Sequence, residues 1–361
     1  MITNYTNIPK LSIIVCAFNE EEHLENCLKS LINQEYDLSD FEIIIMDNES
    51  TDSTSVIAKK IVNSYKNKVD IKYVKIKHVG LSISRNTGIS IALGDIIAFV
   101  DADALIEKNW IKNILLPFNI NPSVSIVAGK VDNLNDNIWF SRFIYHAHFS
   151  AGIKSRSNSK IGGLTGANMA FRKEVFDITG GFFDGFASYG DETSVAIKYL
   201  NDKPEAVISF ASRAVVFIEH PQNLYDWLQQ RFFQGKMLFL INAHIERSNK
   251  FKLFLKALIK SLGLLSLVII LLNFVITLSL IVFFVSFLFF AIVTFARYKY
   301  ILNAFNEVSK AINFKSGLAS IVVCIIGSIF SDAGYFVEGI MSFSKRQINL
   351  NNSVSSIVER V

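Results

Sequence analysis

Two aspartates stand at the end of an apolar run and are separated by one small residue. Asp101 and Asp103 follow the segment Ile96–Val100, with Ala102 between them. In an extended chain, residues i and i+2 point to the same side, so both carboxylates can offer oxygen atoms to one cation. Mg²⁺ and Mn²⁺ prefer such hard ligands. The pair therefore predicts a divalent metal site, and a solvated turn in which Asp103 caps the next helix is the alternative.

A second pair of acids, Asp191 and Glu192, comes directly after Gly190 at the start of a predicted helix. A carboxylate can remove the proton of a hydroxyl group as that group attacks an electrophile. The positive end of a helix dipole stabilises the charged form of acids in the first turn, so a base at this place depends strongly on its geometry. Simple capping of the helix by Asp191 is the alternative, and it is compatible with catalysis.

The elements that position these acids alternate between strands and helices. Buried strands are predicted at Leu11–Ala17, Phe41–Met46, Ile71–Ile76 and Asp95–Val100, and amphipathic helices at Glu20–Asn33, Asp52–Tyr65 and Leu81–Leu93. Near-continuous apolar strands between such helices indicate a parallel sheet covered on both sides. In these sheets ligands bind at the carboxyl ends of the strands, where this chain places its polar residues. Residues 124–220 show a looser, mixed pattern with a late strand at Val215–Ile218.

From residue 246 the chain becomes apolar and basic. Lysines recur every four residues over 251–261, which predicts an amphipathic helix that lies on a bilayer. Residues 262–296 carry no charge and are too many for one span, so a hairpin of two spans is predicted, with a single tilted span as the alternative. A third apolar segment at about 316–343 is predicted as a span or a re-entrant helix. These patterns predict a sheet domain over 1–245 and a membrane-associated helical region over 246–361.

Charge separates the two regions in the same way. Residues 1–249 carry 25 basic and 28 acidic side chains, whereas residues 250–361 carry 11 and 4. A positive excess beside apolar segments indicates contact with anionic membrane lipids. The first region lacks the basic tracts interleaved with aromatic residues that nucleic-acid modules show, so no nucleic-acid partner is predicted.

The compartment follows from the N-terminal segment and the cysteines. The first residues have no apolar signal core, so no cleaved signal peptide is predicted. Cys16, Cys27 and Cys324 show no CxxC spacing and are predicted to be free thiols in a reducing compartment. The sheet domain is therefore expected in the cytoplasm, at the inner face of the cell membrane.

Five segments in a fixed order carry a resemblance to a known family. They are Ser12–Glu20, Met46–Asp52, Gly80–Gly88, Gly94–Asp103, and Gly180–Asp184 followed by Gly190–Thr193. These segments are similar to the YNE strand end and to the VDDGSTD, GxxxARNxG, GEYIAFLDAD and GGFDE…GEDTD motifs of the inverting family 2 glycosyltransferases. Residues 11–245 thus resemble this family, in its membrane-anchored bacterial type. The resemblance implies an α/β fold with a GT-A-type, Rossmann-like, mostly parallel sheet, followed by C-terminal transmembrane or interfacial helices.

The resemblance also implies roles for the acids. Asp103, with Asp101, would hold Mg²⁺ or Mn²⁺. His220 at the end of the late strand would add a further ligand to the metal or the diphosphate, and a surface histidine without such a role is the alternative. Glu192 would be the general base that deprotonates the acceptor. Asp191 is the competing base, because the order of the two acids is reversed relative to the family motif.

The residues implied to bind the nucleotide sugar lie mainly in the same segments. They are Ala17, Phe18, Glu20, Asp47, Arg85, Asp101, Ala102 and Arg231. Phe18 would pack on the base, Asp47 would accept a hydrogen bond from it, which fits uracil, and Glu20 would reach the base or the ribose. Arg85 would pair with Asp101 or a phosphate, and Arg231 would neutralise the leaving diphosphate. The structural alternatives are core packing for Phe18, an ion pair for Arg85 and a membrane-surface charge for Arg231.

The implied activity is metal-dependent, inverting hexosyl transfer from a nucleoside diphosphate sugar, with UDP favoured. The acceptor would be a lipid-linked saccharide or a polysaccharide, in the synthesis of cell-surface polysaccharide or glycolipid. Two alternatives are open: a polyprenyl-phosphate glycosyltransferase, whose acceptor is the lipid phosphate itself, and a non-catalytic membrane scaffold with the same fold.

Overall fold

The computed structural model describes residues 11–77, 80–150, 164–183, 191–245, 298–312 and 319–335, together with positions 266, 286–288, 291, 316 and 337. The chain divides into two compact units, Met1–Pro221 and Gln222–Val361. The sequence predicts a domain boundary after residue 245, which would group the long helix that begins at Leu224 with the sheet. The division into compact units instead groups this helix with the second unit.

The first half of the sheet unit alternates strands and helices. Its elements are β1 (Leu11–Ala17), α1 (Leu24–Ile32), β2 (Phe41–Asp47), α2 (Thr54–Tyr65), β3 (Asp70–Lys75), α3 (Leu81–Ile91) and β4 (Ile96–Asp101). Each lies within a few residues of its predicted position, because apolar strands and amphipathic helices leave a strong local pattern.

The second half is more irregular. Its elements are β5 (Leu105–Ile106), α4 (Trp110–Ile120), β6 (Val124–Asn133), α5 (Trp139–Ile144), a π-helical segment (Tyr145–Ser150), β7 (Asn168–Arg172), α6 (Lys173–Thr179), α7 (Asp191–Asp202) and β8 (Val207–Ile218). In the second unit, α8 covers Leu224–Ile245, α9 covers Tyr298–Ala311, and residues 319–335 are helical.

The eight described strands form one sheet in the order β3-β2-β1-β4-β7-β6-β8-β5. Strands β1 to β4 are parallel to one another, β7 is antiparallel to both β4 and β6, and β8 is parallel to β6. Strand β6 therefore runs in the same direction as β4. As a result, the carboxyl ends of β1, β2, β4, β6 and β8 all lie at one edge of the sheet, which we call the carboxyl edge.

Two hydrophobic cores cover the two faces of the sheet. On the first face, α1, α2 and α4 pack against alternate strand residues such as Ile13 and Val127. On the second face, α6 and α7 pack against the intervening residues, such as Phe99 and Phe171. Helix α3 also lies on the second face, since a Cβ atom at Gly88 would come within 2.8 Å of Ile14 Cγ2. Such two-sided burial explains why the central strands are almost entirely apolar.

Two buried polar side chains connect the strands. Asn168 on β7 accepts a hydrogen bond from Trp110 Nε1 and donates to the carbonyl oxygens of Lys130 and Ala214. Glu42 on β2 is fully buried and accepts hydrogen bonds from Ser12 Oγ, Lys72 Nζ and the Leu93 amide. Because buried polar groups cost free energy when unsatisfied, these networks fix how the strands and the α3–β4 turn sit together.

None of the helices that the structure describes is both long and apolar enough to cross a membrane. The predicted amphipathic helix over 251–261 and almost all of the predicted hairpin over 262–296 lie outside the described residues. The third predicted segment, at about 316–343, contains the helical residues 319–335. The predicted membrane spans thus find no support among the described helices and stay predictions.

Candidate active site

The loops after β1 and β2 are joined by hydrogen bonds at the carboxyl edge. The Asn19 and Glu20 amides donate to Ser50 Oγ and Thr54 Oγ1, at 3.1 and 2.7 Å, and the Thr51 amide donates back to Asn19 Oδ1 at 2.9 Å. Asn19 adopts a positive φ of 57°, which asparagine tolerates better than most residues. The two loops therefore hold each other in place.

This arrangement exposes the side chain between them. Phe18 is 44% exposed at the end of β1, so the alternative of core packing does not describe it in this conformation. Ala17 and Ala102, by contrast, are buried, and any contact they make with a ligand would be limited to the backbone.

The carboxylates of Glu20, Asp101 and Asp103 are close enough for their charges to affect one another where β1 and β4 end. Asp101 stands beside Cys16 in the β1–β4 register. The side chain of Asp101 is 42% exposed, but the surrounding protein still desolvates its carboxylate. This desolvation and the negative charges of Asp103 and Asp191 outweigh the positive charge of Arg85 and raise the pKa of Asp101 to about 6. Burial and the charge of Asp103 raise the pKa of Glu20 to about 7. Neighbouring acids that resist ionisation form an environment that a bound cation would relieve.

Arg85 on α3 lies behind Asp101 and is almost completely buried. Its Nη1 donates to both carboxylate oxygens of Asp191, at 2.8 and 2.7 Å, and its Nη2 lies 3.8 Å from Asp101 Oδ1. The guanidinium carbon is 5.8 and 5.4 Å from the ring centroids of Phe99 and Phe182. The principal partner of Arg85 is thus Asp191, and the predicted pairing with Asp101 is present as the longer contact. A contact with a phosphate stays a prediction.

The adjacent acids at the start of α7 have different environments. Burial alone would raise the pKa of Asp191, but the Arg85 charge and the hydrogen bonds to its carboxylate lower it below the ordinary value. Burial and the charge of Asp191 raise the pKa of Glu192 to about 8. Two neighbouring acids with pKa values pushed apart are a common feature of acid–base sites. The contacts give Asp191 an ion-pairing role with Arg85, and the assignment of Glu192 as the general base stays a prediction.

Asn86, the residue after Arg85, holds the turn before α7 with two hydrogen bonds. Its Nδ2 donates to the Phe182 carbonyl at 2.7 Å, and its Oδ1 accepts from the Phe182 amide at 2.8 Å. Gly181 has a φ of 89°, and a Cβ atom there would lie 2.5 Å from Asn86 Oδ1. A glycine is therefore required at this position, which explains the Gly-Gly-Phe segment.

Asp47 on β2 lies at the carboxyl edge but is enclosed. It is fully buried, its Oδ1 accepts from the Ser50 amide at 2.8 Å, and its Oδ2 accepts from Tyr73 Oη at 2.6 Å. Lys75 Nζ lies 4.0 Å from the same Oδ2. In this conformation Asp47 shapes the β2 loop, and its role in binding a base stays a prediction.

His220, the predicted additional metal ligand, lies two residues after the end of β8. The His220 ring is buried, with its centroid 5.3 Å from that of Tyr145, and burial lowers its pKa to about 4. Its neighbour Glu219 is close enough to Asp103 for its charge to contribute to the raised pKa of Asp103, in which burial is the larger cause. Glu219, which directly precedes His220, was not predicted as a site residue. The predicted role of His220 as a metal ligand stays a prediction.

Arg231 lies on α8 in the second unit. Its Nε donates to the Gly327 carbonyl at 3.4 Å, and its Nη1 donates to Gln234 Oε1. Its predicted role at the diphosphate stays a prediction.

The carboxylates at the end of β4 fit the divalent cation that the sequence predicts. Asp101 and Asp103 supply hard oxygen donors, and the raised pKa values of both are the environment that a cation would reverse. Within the described part of the chain, no group of three or more His, Cys, Asp or Glu side chains is arranged to hold a metal ion.

Two protein-family models match the chain. The model described as Glycosyl transferase family 2 matches residues 12–179, and the model described as Glycosyl transferase family group 2 matches residues 96–295. Together they cover the carboxyl edge, Arg85, both acid pairs and β8.

Individual relatives agree with these matches. The chain is 28% identical over 186 residues to glycosyltransferase AglE of Haloferax volcanii, covering 52% of this chain and 60% of AglE. It is 26% identical over 245 residues to the glucosyl-dolichyl phosphate glucuronosyltransferase of the same organism, covering 63% and 75%. The chain thus spans less than two thirds of the length of AglE.

A solved structure shares the fold. It is the mannosyltransferase PcManGT from Pyrobaculum calidifontis in complex with GDP-Man and Mn²⁺. The two superpose with a TM-score of 0.57 at 16% identity, over 93% of this chain and 87% of that one.

Proposed function

Because the chain belongs to the family 2 glycosyltransferases, we propose that it transfers a sugar, with inversion at the anomeric carbon, from a nucleoside diphosphate sugar to a hydroxyl group of a membrane-associated saccharide. Its membership of this family of transferases favours catalysis over the alternative of a non-catalytic scaffold. The substrates, the metal and the location are our proposals.

The arrangement of Arg85, Asp191 and Glu192 is the observation that carries the proposal. Glu192, with a pKa of about 8, takes the proton of the acceptor hydroxyl group while the oxygen of that hydroxyl group attacks the anomeric carbon. The bond between that carbon and the phosphate oxygen breaks, and the nucleoside diphosphate leaves with the electron pair. General base catalysis of this kind contributes about 10²–10⁴-fold to the rate. Asp191 is held by Arg85 and keeps the start of α7 in place.

The metal belongs at the end of β4. Asp103 and Asp101 would hold Mg²⁺ or Mn²⁺, which proteins usually bind through one or two carboxylates plus substrate phosphates. When bound, the cation supplies positive charge that stabilises the departing diphosphate. The Mn²⁺ in the complex of PcManGT supports this choice of cofactor for a protein of the same fold.

The donor lies along the loops after β1 and β2. Phe18 offers an exposed aromatic face for the base, and Glu20 is near enough to Asp103 and Asp101 for their charges to raise its pKa. UDP remains the preferred nucleotide on the resemblance at Asp47. The enclosed carboxylate of Asp47 does not by itself select a base, so a panel of UDP, GDP and dTDP sugars decides the donor.

The acceptor and location are inferred from the C-terminal sequence and from relatives. The apolar, basic region beyond residue 246 supports attachment to the inner face of the cell membrane. The dolichyl-phosphate-linked acceptor in the name of one relative supports a lipid-linked saccharide, and a surface polysaccharide is the other acceptor in this proposal.

The raised pKa of Glu192 also bears on the polyprenyl-phosphate alternative. A lipid phosphate is already ionised at neutral pH and needs no base to attack. A carboxylate whose pKa lies near neutrality instead suits a hydroxyl acceptor. We therefore favour transfer to a hydroxyl group.

A panel of nucleotide sugars incubated with the purified full-length chain tests the proposal. Donor hydrolysis and the melting temperature are measured with Mn²⁺ and with EDTA. We expect one nucleotide sugar to be hydrolysed and to raise the melting temperature only with the metal. A panel in which no nucleotide changes either quantity contradicts the proposal.

A further inference from the structure

A polar pair at the end of β6 faces the same side of the sheet as the proposed base. Along β6, Ile126 and Ala128 belong to the core of the second face and Val127 and Val131 to that of the first. Because side chains alternate along a strand, Lys130 and Asp132 point to the second face, against which α7 also packs. Lys130 Nζ lies 2.5 Å from Asp132 Oδ2, and their side chains are 40% and 28% exposed. The apolar strand therefore ends in a partly exposed ion pair at the carboxyl edge.

An exposed aromatic ring follows this pair along the chain. Trp139 begins α5 and is 57% exposed. One face of its indole is covered, because the ring stacks on the buried Phe143 with centroids 5.2 Å apart and planes at 14°. The side chain is thus supported from one side by the core and keeps substantial exposed surface.

Helix α5 is fixed to the end of the sheet. Ser141 Oγ donates to Asn133 Oδ1 at 3.1 Å and lies 3.3 Å from the His220 carbonyl oxygen, so it connects α5 to the ends of both β6 and β8. Tyr145 Oη donates to the Val131 carbonyl at 3.4 Å. Trp139 is therefore held beside the carboxyl edge, on the side of β4 away from β1 and β2, whose loops we assign to the nucleotide.

We propose that Trp139 and the Lys130–Asp132 pair form a subsite for a sugar ring of the acceptor. This inference rests on the proposed function and adds the residues that recognise its acceptor. Strand β6 is two strands from β4, a lateral distance of about 10 Å at the usual strand spacing. A site so placed suits a ring that lies beyond the ring carrying the attacking hydroxyl. The preferred acceptor is thus a saccharide of two or more rings.

The chemistry of the three side chains matches a sugar. A pyranose ring has an apolar face of C–H groups that packs on an aromatic face, and Trp offers a large, rigid one. Its hydroxyl groups donate to a carboxylate such as Asp132 and accept from an ammonium such as Lys130. Tryptophan also favours membrane interfaces, but the ion pair at the end of β6, to which α5 is attached through Ser141, and the position at the edge that holds the proposed base favour the saccharide.

The three tryptophans of the chain make a direct binding test practical. Trp110 and Trp227 are buried at 0% and 1% exposure, so the quencher acrylamide should reach mainly Trp139. The full-length protein is titrated with acrylamide in the presence of methyl glycosides of glucose, galactose, mannose and N-acetylglucosamine, and of cellobiose and lactose. We expect at least one disaccharide to protect Trp139 better than its methyl monosaccharide does. Trp139→Phe should remove the quenchable emission, and Asp132→Asn should weaken the protection.

Transfer kinetics give a second test, with the protecting saccharide as acceptor. Trp139→Ala should raise the acceptor KM about tenfold, as the loss of a central aromatic contact does, while Trp139→Phe should raise it less. Leu116→Ala is the matched control, since Leu116 is 45% exposed on α4 at the other face of the sheet, and it should leave the acceptor KM unchanged.

Three outcomes would overturn the subsite: no saccharide protects Trp139, anionic phospholipid vesicles protect it while saccharides do not, or Trp139→Ala transfers with an unchanged acceptor KM. The melting shift with nucleotide and Mn²⁺ is measured on the same samples. Its absence would overturn the proposed function, whereas its presence without protection of Trp139 would overturn the subsite alone.

Discussion

Arg85 contacts both carboxylate oxygens of Asp191 through one nitrogen, at 2.7 and 2.8 Å, while its second terminal nitrogen lies 3.8 Å from Asp101. One buried cation thus connects the end of β4, where the metal is proposed, with the start of α7, which carries the proposed base. Gly166 leaves space for the guanidinium group, since a Cβ atom at this position would come within 2.6 Å of Arg85 Nη2. The donor and acceptor halves of the proposed reaction therefore share one positioning residue.

Replacing Arg85 with methionine should strongly destabilise the sheet unit. The substitution leaves Asp191, which is 1% exposed, without its cation, and breaking a buried ion pair in this way costs about 3–5 kcal/mol. Arg85→Lys should cost less, because it restores the charge without the planar contact. Urea unfolding measures both. Lys29→Met, which removes an exposed pair with Glu25, is the control and should leave the free energy of unfolding nearly unchanged, because exposed ion pairs contribute little. Equal losses for Arg85→Met and Lys29→Met would contradict this prediction.

Glu192→Gln should lower kcat by about 10²–10⁴-fold, because an amide cannot accept the acceptor proton. The melting shift with nucleotide and Mn²⁺ should persist in this variant. Asp191→Asn should instead mainly lower stability, because it weakens the contact with Arg85.

Rate measurements on the two single variants and the double variant separate the alternatives. Full activity in Glu192→Gln together with an inactive but folded Asp191→Asn would identify Asp191 as the general base. Full activity in the double variant would favour the polyprenyl-phosphate alternative.

The pH dependence of kcat/KM should follow the ionisation of Glu192. The base acts in its deprotonated form, and its pKa is raised to about 8. The logarithm of kcat/KM should therefore rise with unit slope as the pH increases toward about 8 and level off above it. Initial rates between pH 6 and pH 9.5 at saturating Mn²⁺ measure the profile. A flat profile through this range would show that proton removal by Glu192 does not limit the reaction.

Local pattern was sufficient to predict the strands that carry the donor site. Strands β1 to β4 are short apolar runs that end in polar residues, and their ends are correctly placed to within about two residues. Strand β6 received no assignment, and only Val215–Ile218 of β8, which covers Val207–Ile218, was predicted. Strand β6 contains Gly129, Lys130 and Asp132, which interrupt its apolar run. Its pairing depends on Asn168 and on β8, which lie far away in the sequence.

The site shows the same division between local and distant information. The types of the acids and their places at strand ends were visible in the sequence. Partners that come from other elements were not: Tyr73 of β3 encloses Asp47, and Arg85 of α3 selects Asp191. Glu219 and His220 are adjacent, and only the fold distinguishes which of them affects Asp103.

Removal of the metal should abolish transfer and donor binding together. EDTA should eliminate both, and Mn²⁺ or Mg²⁺ should restore them. Because Asp101 must be ionised to bind a cation and its pKa is raised to about 6, metal affinity should fall as the pH decreases through 6. Titration of Mn²⁺ by electron paramagnetic resonance at pH 5, 6 and 7 measures this. Asp101→Asn with Asp103→Asn should lose Mn²⁺ binding, and unchanged turnover in that double variant would refute the metal site.

Asn168 should be among the most sensitive positions of the sheet unit, although it contacts no proposed substrate. It is fully buried on β7, pairs with Val100 next to Asp101, and satisfies Trp110 Nε1 and two carbonyl groups. Asn168→Leu keeps a similar volume but leaves these buried groups unsatisfied, at a cost of about 3 kcal/mol or more. Urea unfolding followed by tryptophan fluorescence measures the loss, since Trp110 is itself a partner.

The matched control for this position is Asn113→Leu. Asn113 makes one side-chain hydrogen bond, to the Arg213 carbonyl at 2.8 Å, at a more exposed place on α4. Water can replace that partner, so the substitution should cost less than about 1 kcal/mol. If both variants lost the same stability, the hydrogen bonds of Asn168 would not be what holds β6, β7 and β8 together. Apolar packing alone would then determine the geometry of the carboxyl edge.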